Sequence, residues 1–372
     1  MPNADVPYHP PADPDRFAAL DRPTLVVDRS RAERNIARMA AKAAASGVRF
    51  RPHFKTHNNV AVGEWFRAAG VTAITVSSVA HAVTFADAGW DDITIAFPMV
   101  TRALPTIIDL AARVHLGVLV DSEATVAALA AVEAPVDVWI DVDAGYGRSG
   151  VRWDDEAKLA EVAAAVGASP GHRLRGLLTH SGQTYHAPDQ AAVVATWRET
   201  ATRLAAARDV LPAATGSARL EISVGDTPGC SVMPRFDGVD EVRPGNFVFF
   251  DCQQLALGTC TERDLALAVA CPIVAVYPER GEVLIHGGSV QLSRDSAAGP
   301  YGENYGRLAT VEADGWYPVA VEEGHVRSLS QEHGVLRCSP DVLAQLHVGD
   351  LAFIIPAHAC LPANQIPDWA FI

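Results

Sequence analysis

Residues 136–143, Val-Asp-Val-Trp-Ile-Asp-Val-Asp, form an apolar, β-branched run that leads directly into the glycine-rich residues 144–150, Ala-Gly-Tyr-Gly-Arg-Ser-Gly. Such runs are typical of buried strands in a parallel sheet. Similar runs alternate with Ala-rich stretches from about residue 23 to 228, and the stretches 31–46 and 187–210 are long enough for the crossover helices that parallel strands require. This alternation predicts an α/β protein with a (β/α)8 TIM-like barrel; a doubly wound open sheet is the alternative.

The predicted barrel strands span residues 24–28, 48–53, 73–78, 92–97, 115–121, 136–143, 175–182 and 221–226. After about residue 247 the pattern changes, because the apolar runs are separated by Gly, Pro and Asp turns without long helical intervals. This predicts an antiparallel β domain, with runs at 265–277, 282–286, 317–322 and 351–356. The expected domains are therefore a barrel over residues 20–247 and a C-terminal β domain over residues 248–372, which includes part of residues 1–19.

The composition is that of a globular protein with an acidic surface. Apolar residues make up 49% of the chain, and 44 acidic against 30 basic side chains leave a net charge of -14. This charge predicts that neither nucleic acid nor an anionic membrane is a partner. Residues 1–20 lack the basic start and apolar run of a secretory peptide, and the six cysteines include no CxxC pair. We therefore expect a cytoplasmic protein.

A lysine between two histidines follows the second predicted strand, in the segment Arg51-Pro-His-Phe-Lys-Thr-His57. Catalytic groups of such barrels lie at the C-terminal ends of the strands. Burial and cationic neighbours there would lower the pKa of Lys55 towards that of a usable nucleophile or base. Taken alone, the segment is equally compatible with a basic surface loop, but its place in the barrel favours a catalytic lysine.

Two further strand ends carry residues suited to anions. The segment 141–150 has the spaced acids of a calcium loop but has Arg152 where the closing acidic ligand would stand, so we interpret it as a loop that presents Arg148 to an anionic oxygen. The segment 223–229, Ser-Val-Gly-Asp-Thr-Pro-Gly, follows the eighth predicted strand, where barrels commonly bind phosphate. A simple Gly/Pro turn is the alternative for the second segment.

A histidine and a cysteine two residues apart follow the apolar run 351–355. In extended chain, His358 and Cys360 point to the same side, so an imidazole and a thiolate could share one metal ion. Nitrogen and sulfur ligands favour zinc, and two protein ligands leave positions open for substrate or water. By itself a His-x-Cys pair is also compatible with an ordinary strand end.

Seven segments in this order resemble the signature series of the D-serine dehydratase and D-threonine aldolase family, whose members are alanine-racemase-like pyridoxal-phosphate enzymes. They are Arg-Pro-His-Phe-Lys-Thr-His (51–57), Asp-Val-Asp-Ala-Gly-Tyr-Gly-Arg-Ser-Gly (141–150), Thr-His-Ser-Gly-Gln-Thr-Tyr (179–185), Val-Gly-Asp-Thr-Pro (224–228), Arg-Pro-Gly-Asn (243–246), Gln-Glu-His-Gly (331–334) and His-Ala-Cys (358–360). The resemblance implies a pyridoxal-phosphate barrel followed by a β domain, in a homodimer whose active sites are each completed by the partner chain.

The resemblance also implies the roles of individual residues. Lys55 would bind the cofactor covalently, and His57 and His180 would be the other catalytic residues. The expected cofactor-binding residues are Lys55, His53, Arg148, His180, Tyr185, Gly225, Asp226, Thr227 and Gly229. His358 and Cys360 would bind a divalent metal, with zinc preferred and manganese or magnesium as alternatives.

The His-x-Cys pair is similar to that of the dehydratases, whereas the aldolases more often have His-x-Asp. We therefore expect a lyase that converts a small D-3-hydroxy amino acid, such as D-serine or a 3-hydroxyaspartate, to a 2-oxo acid and ammonia. The first alternative is retro-aldol cleavage to glycine and an aldehyde, with His57 or His180 as base. Racemisation, a pyridoxal-phosphate carrier and a cofactor-free barrel are further alternatives. The sequence departs from the family pattern at Asp226, where a Ser is usual, at Asn58, where a Lys is common, and over residues 286–295.

Overall fold

The computed structural model describes residues 7–11, 13–211, 219–299, 302–312 and 315–372. It divides into two compact units, one of residues 36–245 and one of residues 1–35 with 246–372. Residues 1–6 and 12, which belong to the segment 1–19 assigned in part to the β domain, lie outside the described residues. No helix in the described ranges is both long enough and apolar enough to cross a membrane.

The strands, in chain order, are β1 Thr24–Val27, β2 Arg49–Phe50, β3 Ile74–Val76, β4 Asp92–Pro98, β5 His115–Val120, β6 Asp137–Asp143, β7 Val151–Arg152, β8 Arg173–His180, β9 Glu221–Gly225, β10 Glu241–Val242, β11 Leu267–Tyr277, β12 Glu282–His286, β13 Ala297–Gly299, β14 Gly302–Asn304, β15 Gly306–Glu312, β16 Gly315–Pro318, β17 Gly324–Leu329, β18 His333–Cys338, β19 Leu351–Pro356 and β20 Trp369–Phe371. The helices are α1 Arg29–Ser46, α2 Val60–Ala68, α3 Val79–Asp87, α4 Leu104–Arg113, α5 Glu123–Ala128, α6 Glu156–Gly167, α7 Gln190–Asp209, α8 Thr227–Val232, α9 Cys252–Ala256, α10 Ser289–Leu292, α11 Pro340–Leu343 and α12 Cys360–Gln365.

The unit of residues 36–245 is built on a parallel sheet in the order β2-β10-β9-β8-β6-β5-β4-β3. The first and last strands of this order also meet, because His53 forms a parallel bridge with Thr75 and the Thr75 amide donates to the Pro52 carbonyl over 2.9 Å. Eight strands thus close into the TIM-like barrel that the alternation of runs predicts. Buried apolar side chains fill it, among them Leu119, Trp139 and Leu178.

The prediction that residues 24–28 form the first barrel strand is wrong, and with it the start of the barrel at residue 20. β1 instead pairs antiparallel with β11 and parallel with β20, in the sheet of the other unit. The eighth barrel strand is β10, which pairs with β9 and β2. Sequence periodicity misses β10 because it is only two residues long, and a four-residue apolar run such as β1 carries no local signal of which sheet it joins.

Charged side chains near the N-terminal ends of the barrel strands form a closed chain of ion pairs, the basal charge ring. Its members come from seven of the eight strands, and acidic groups alternate with basic groups or a histidine. The contacts are Arg51–Asp92 at 2.6 Å, Asp92–His115 at 3.4 Å, His115–Asp137 at 3.2 Å, Asp137–Arg175 at 3.6 Å, Arg175–Glu221 at 2.8 Å, Glu221–Arg49, Arg49–Glu241 at 3.2 Å and Glu241–Arg51 at 2.8 Å. In barrels of this kind the N-terminal face serves stability and the opposite face serves function.

The other unit is built on a second sheet in the order β12-β18-β17-β15-β19-β11-β1-β20, with β16 paired to β15 and an additional pairing between β11 and β12. All its pairings are antiparallel except that of β1 with β20. Three predicted runs, at 265–277, 282–286 and 351–356, correspond to β11, β12 and β19. The expectation of a largely antiparallel β unit is therefore confirmed.

Candidate active site

A cavity of about 380 Å3 opens at the C-terminal ends of the barrel strands. Side chains from both the strand ends and the glycine-rich loop form its wall: His53, Lys55, Ser77, Ala96, Phe97, Pro98, Leu119, Asp141, Arg148, Ser149, Leu178, His180 and Arg243. A larger cleft of about 500 Å3 lies in the other unit, but its described wall contains neither lysine nor histidine. The barrel cavity is therefore the candidate active site.

Lys55 lies in a short 3-10 turn, Phe54–Thr56, that begins directly after the extended segment of β2. The side chains on either side of it are buried, and Phe54 packs at 4.9 Å on the ring of Phe66. The Lys55 amide donates to Nδ1 of His53 over 3.3 Å. Because its two neighbours point inward, the turn directs Lys55 to the cavity.

Gly245 allows the close approach of a second chain segment to this turn. A Cβ atom at Gly245 would lie 2.8 Å from Oγ1 of Thr56 and 2.9 Å from the carbonyl oxygen of His53. Any other residue at position 245 would therefore push against the turn that carries Lys55. The Arg-Pro-Gly-Asn segment at 243–246 thus has a structural reason for its glycine.

Two cavity histidines are held in the neutral form. Nδ1 of His180 lies 2.6 Å from the carbonyl oxygen of Gly225, which only accepts, so Nδ1 carries the proton and Nε2 does not. Burial, together with the nearby charges of Lys55 and Arg148, lowers the pKa of His180 to about 3. Burial and Lys55 likewise hold the pKa of His53 well below its usual value. Both imidazoles can therefore accept a hydrogen bond at neutral pH.

The glycine-rich loop is organised by Asp143 and presents Arg148 to the cavity. Oδ1 of Asp143 accepts hydrogen bonds from the amides of Gly145 and Gly147, each at 2.9 Å. The Arg148 guanidinium lies 5.3 Å from the centre of the Tyr146 ring. Asp143 thus holds the loop in place by accepting hydrogen bonds from the amides of two loop glycines. This supports the interpretation of the segment as a loop that presents an arginine.

Two cavity residues, Asp141 and Arg243, belong to segments quoted for the family resemblance but have no predicted role. Arg243 donates from Nε to Oγ of Ser223 over 2.7 Å, and burial lowers its pKa to about 10, so it remains a cation at neutral pH. Burial raises the pKa of Asp141 to about 6. Arg243 follows the two-residue strand β10, which has no periodic signal, whereas Asp141 lies in the quoted run 136–143 and could have been found there.

His57 is not among the described residues that line the cavity. Its ring is 1% exposed and stacks on Phe66 at 5.6 Å with an angle of 24° between the planes. Burial lowers the pKa of His57 to about 3. The structure thus places this predicted catalytic residue in an aromatic part of the core, because a two-residue step along the 3-10 turn separates it from the side of the turn that bears Lys55.

The turn Gly225–Gly229 is buried and lies beside the cavity rather than in its described wall. It is joined to the wall by the bond from His180 to Gly225. Asp226 accepts from the Gly229 amide and from Oγ1 of Thr184, and burial raises the pKa of Asp226 to about 7. The Thr227 amide donates to the Tyr185 hydroxyl over 3.2 Å. Within the described chain, Oγ1 of Thr227 is buried and has no hydrogen-bond partner.

In the other unit, Asp251 orients the histidine of the His-x-Cys pair. Nδ1 of His358 lies 2.9 Å from Oδ2 of Asp251, which also accepts from the amide of Ala359 over 2.9 Å. The Cys360 thiol is buried and lies next to the imidazole. A carboxylate on one ring nitrogen is the usual second contact of a metal-binding histidine. Among the described residues, no cluster of three or more His, Cys, Asp or Glu side chains is arranged to hold a metal.

The fold and the cavity define the class of protein: the chain is an alanine-racemase-like enzyme. The alanine-racemase-like fold is one of pyridoxal-phosphate-dependent proteins. Residues 27–253 match the N-terminal domain of alanine racemase, and residues 266–372 match a putative serine dehydratase domain. The first match covers more than half of the chain. The chain therefore belongs to the alanine racemase N-terminal domain family.

Individual relatives are dehydratases and aldolases. The chain is 35% identical to the D-threo-3-hydroxyaspartate dehydratase of Delftia sp. (strain HT23), over 95% of either chain, and its structure matches that enzyme with a TM-score of 0.87 over 96% of this chain and 95% of that one. It is 26% identical to the D-serine dehydratase of Dictyostelium discoideum, over 95% and 93% of the two chains. The D-threonine aldolase of Filomicrobium marinum matches with a TM-score of 0.80 and 25% identity, over 98% of this chain and 92% of that one.

Proposed function

We propose that this chain is a pyridoxal-phosphate-dependent, metal-assisted dehydratase that converts a D-3-hydroxy amino acid, such as D-serine or a 3-hydroxyaspartate, to a 2-oxo acid and ammonia. The observation that carries the proposal is Lys55 in the wall of the barrel cavity, which it shares with the two neutral histidines His53 and His180. Similarity over nearly the full length to a D-threo-3-hydroxyaspartate dehydratase and to a D-serine dehydratase supports the same reaction.

The residues present fit pyridoxal phosphate. A cavity of about 380 Å3 is within the usual size range of small-molecule sites. Its wall offers an amine for the aldehyde in Lys55 and a flat ring surface in His180. The buried hydroxyl of Thr227, without a partner in the described chain, is a donor suited to the phosphate oxygens. Gly225, Asp226 and Gly229 would shape the phosphate turn, and Tyr185 would bind beside it.

When bound, the cofactor would supply an electron sink for the charge that develops on Cα of the substrate. Nζ of Lys55 would take the Cα proton, since a lysine that binds the cofactor covalently is also the amine nearest to that carbon. The cationic Arg148 and Arg243 would bind anionic groups of cofactor or substrate, because both line the cavity. His180, with its proton held on Nδ1 by Gly225, would accept a hydrogen bond at Nε2.

His358 and Cys360 would hold the divalent metal, with Asp251 fixing the imidazole so that Nε2 is the ligating atom. The metal would supply Lewis acidity for the departure of the β-hydroxyl group. A thiolate ligand favours zinc over manganese or magnesium. A mutant of a D-threo-3-hydroxyaspartate dehydratase similar to this chain has been solved in a metal-free form, and this supports a metal in that relative.

Retro-aldol cleavage to glycine and an aldehyde is the second candidate function. The similarity in structure to a D-threonine aldolase favours it. Of the two candidate bases, His180 lines the cavity and His57 stacks on Phe66 in the core, so we propose His180 as the base of this reaction.

We also propose a homodimer in the cytoplasm. Phe97 in the cavity wall is 51% exposed and Val100, three residues further along, is 42% exposed, and coverage by a second copy would remove this apolar surface from water. Light scattering after size-exclusion chromatography measures the mass in solution, and a monomer would contradict this part of the proposal.

The function is tested on purified protein reconstituted with pyridoxal phosphate. We expect a visible absorption band that borohydride abolishes and that a Lys55→Ala variant lacks. We expect ammonia from D-serine, D-threonine or D-3-hydroxyaspartate, with loss of the product after chelation. Glycine plus an aldehyde would indicate the aldolase reaction instead. The failure of Lys55 to bind the cofactor would contradict the proposal as a whole.

A further inference from the structure

The ammonium group of Lys42, on α1, binds the C-terminal end of the short helix α8. Nζ of Lys42 donates to the carbonyl oxygens of Cys230 over 2.8 Å, Ser231 over 2.7 Å and Met233 over 3.0 Å. The last carbonyls of a helix have no partner within it, and they carry the negative end of its dipole. One cation therefore satisfies three acceptors that the helix itself leaves open.

A second contact ties the same segment to α1. The amide of Phe236 donates to Oγ of Ser46 over 3.2 Å, one helical turn beyond Lys42. The ring of Phe236 lies 5.7 Å from Nζ of Lys42. Together the two contacts hold residues 230–236 against the C-terminal half of α1.

Helix α8 also packs closely against α7. A Cβ atom at Gly229 would lie 2.1 Å from Cδ1 of Trp197, so the backbone of α8 and the indole are in close contact. A helix of six residues is not stable by itself, and its position depends on such external contacts. Trp197 thus restricts α8 near its start, and Lys42 binds the carbonyl groups at its end.

Helix α8 begins with Thr227, the residue whose buried hydroxyl has no partner in the described chain. The segment bound by Lys42 is therefore continuous with the turn Gly225–Gly229. Lys42 is half-buried, and burial lowers its pKa. Moving an ammonium group out of water costs free energy. Here the hydrogen bonds to the three carbonyl groups offset that cost.

We propose that Lys42 is a positioning residue for the cofactor phosphate: by binding the carbonyl end of α8, it holds Thr227 and the turn Gly225–Gly229 in the conformation that receives the phosphate group. This inference rests on the proposed function, because it assumes that the turn binds the phosphate. Lys42 itself does not touch the cofactor. Its loss should therefore weaken binding of the phosphate while leaving the lysine that reacts with the aldehyde intact.

The test compares pyridoxal phosphate with pyridoxal, which has the aldehyde and the ring but no phosphate. Dissociation constants are measured by absorbance titration for the wild-type protein and for Lys42→Met. We expect Lys42→Met to weaken binding of pyridoxal phosphate roughly tenfold, the effect of losing one hydrogen bond to a charged group, here the bond from the displaced Thr227 to the phosphate. Binding of pyridoxal should weaken less than about twofold. Lys42→Arg should retain most of the wild-type preference for pyridoxal phosphate over pyridoxal, since arginine keeps the positive charge.

Lys158→Met is the matched control, because Lys158 belongs to the same unit, has a side chain that is 37% exposed, and pairs with Glu161 at 2.5 Å. It should change neither constant. If Lys42→Met does not fold, Lys42→Gln, which keeps a neutral donor, is measured in its place. Equal weakening of both ligands would overturn the positioning role, since a general loosening of the barrel does not discriminate between them.

The same titrations separate this inference from the proposed function. If the wild-type protein binds pyridoxal phosphate no more tightly than pyridoxal, the phosphate site itself is wrong. If the wild-type protein prefers pyridoxal phosphate and Lys42→Met keeps the full preference, only the role of Lys42 is wrong. The 31P resonance of the bound cofactor gives a second readout, and we expect it to shift in Lys42→Met but not in Lys158→Met.

Discussion

Nε of Arg51, the residue that follows β2, donates to Oε2 of Glu241 in β10 over 2.8 Å. Both residues are almost completely buried, with exposed fractions of 5% for Arg51 and 0% for Glu241. Glu241 also accepts from Oγ of Ser223 over 2.7 Å and pairs with Arg49 over 3.2 Å. This pair joins the neighbouring barrel strands β2 and β10, within the basal charge ring on the face opposite the cavity.

Breaking the buried pair should destabilise the barrel. Glu241→Gln leaves Arg51 buried without its full counter-charge, and we expect a loss of about 3–5 kcal/mol in the free energy of unfolding. Urea denaturation followed by circular dichroism measures this loss. Asp154→Asn is the control, since the Arg152–Asp154 pair is 72% and 41% exposed, and it should have no measurable effect. A Glu241→Gln protein as stable as wild type would show that the ring contributes nothing at this point.

The stability of the barrel should fall at low pH through the same carboxylate. Burial alone would raise the pKa of Glu241, but the guanidinium groups of Arg51 and Arg49 more than compensate and hold it at about 2, below the ordinary value of 4.5. The folded state thus binds this proton less readily than the unfolded chain, so the contribution is present above about pH 4.5 and is lost as the pH falls to about 2. Melting temperatures between pH 5 and about 2 should fall less steeply for Glu241→Gln than for wild type. If the melting temperatures of Glu241→Gln and wild type fell equally steeply with pH, Glu241 would not be the carboxylate responsible.

Asp226 should have the opposite pH dependence. Burial raises its pKa to about 7 from an ordinary 3.8, so its contribution to stability is present below pH 3.8 and is lost as the pH rises to about 7. Asp226→Asn keeps an oxygen that can accept from the Gly229 amide and the Thr184 hydroxyl but never ionises. We therefore expect the variant to be more stable than wild type at pH 8, and the difference to shrink at pH 5. Differential scanning calorimetry at both values measures it, and a difference that is the same at both would contradict the prediction.

Asp251 should control metal affinity without being a ligand. Asp251→Asn weakens the contact that orients the His358 imidazole, and we expect roughly 10–100-fold weaker metal binding, the usual effect of losing such a contact. Cys360→Ala removes a ligand and should abolish stoichiometric metal. Metal content after dialysis against graded chelator measures both effects. Cys338→Ala, a buried thiol of β18, is the control and should retain the metal. Normal metal affinity in Asp251→Asn would refute this role.

Much of the fold is predictable from the sequence because its signals are local. The helix α7, predicted over 187–210, spans Gln190–Asp209, and β12 spans the predicted 282–286. The cavity lysine is predictable as well, since a strand end followed by a polar segment defines the functional face of a barrel. His53, Arg148 and His180 line the same cavity for the same reason.

The sequence by itself thus determined the alternation of strands and helices, the barrel class and the strand-end positions of Lys55, Arg148 and His180, because periodicity and turn residues act over a few positions. Only the tertiary structure decided that β1 joins the antiparallel sheet, that His57 turns into the core, and that Arg243 lines the cavity. The contacts of Asp251 with His358 and of Lys42 with the end of α8 are likewise visible only in the tertiary structure. These outcomes depend on contacts between residues far apart in the chain, such as Lys42 with Cys230 or Asp251 with His358. Such contacts form when burial brings the groups together, and a local pattern does not record them.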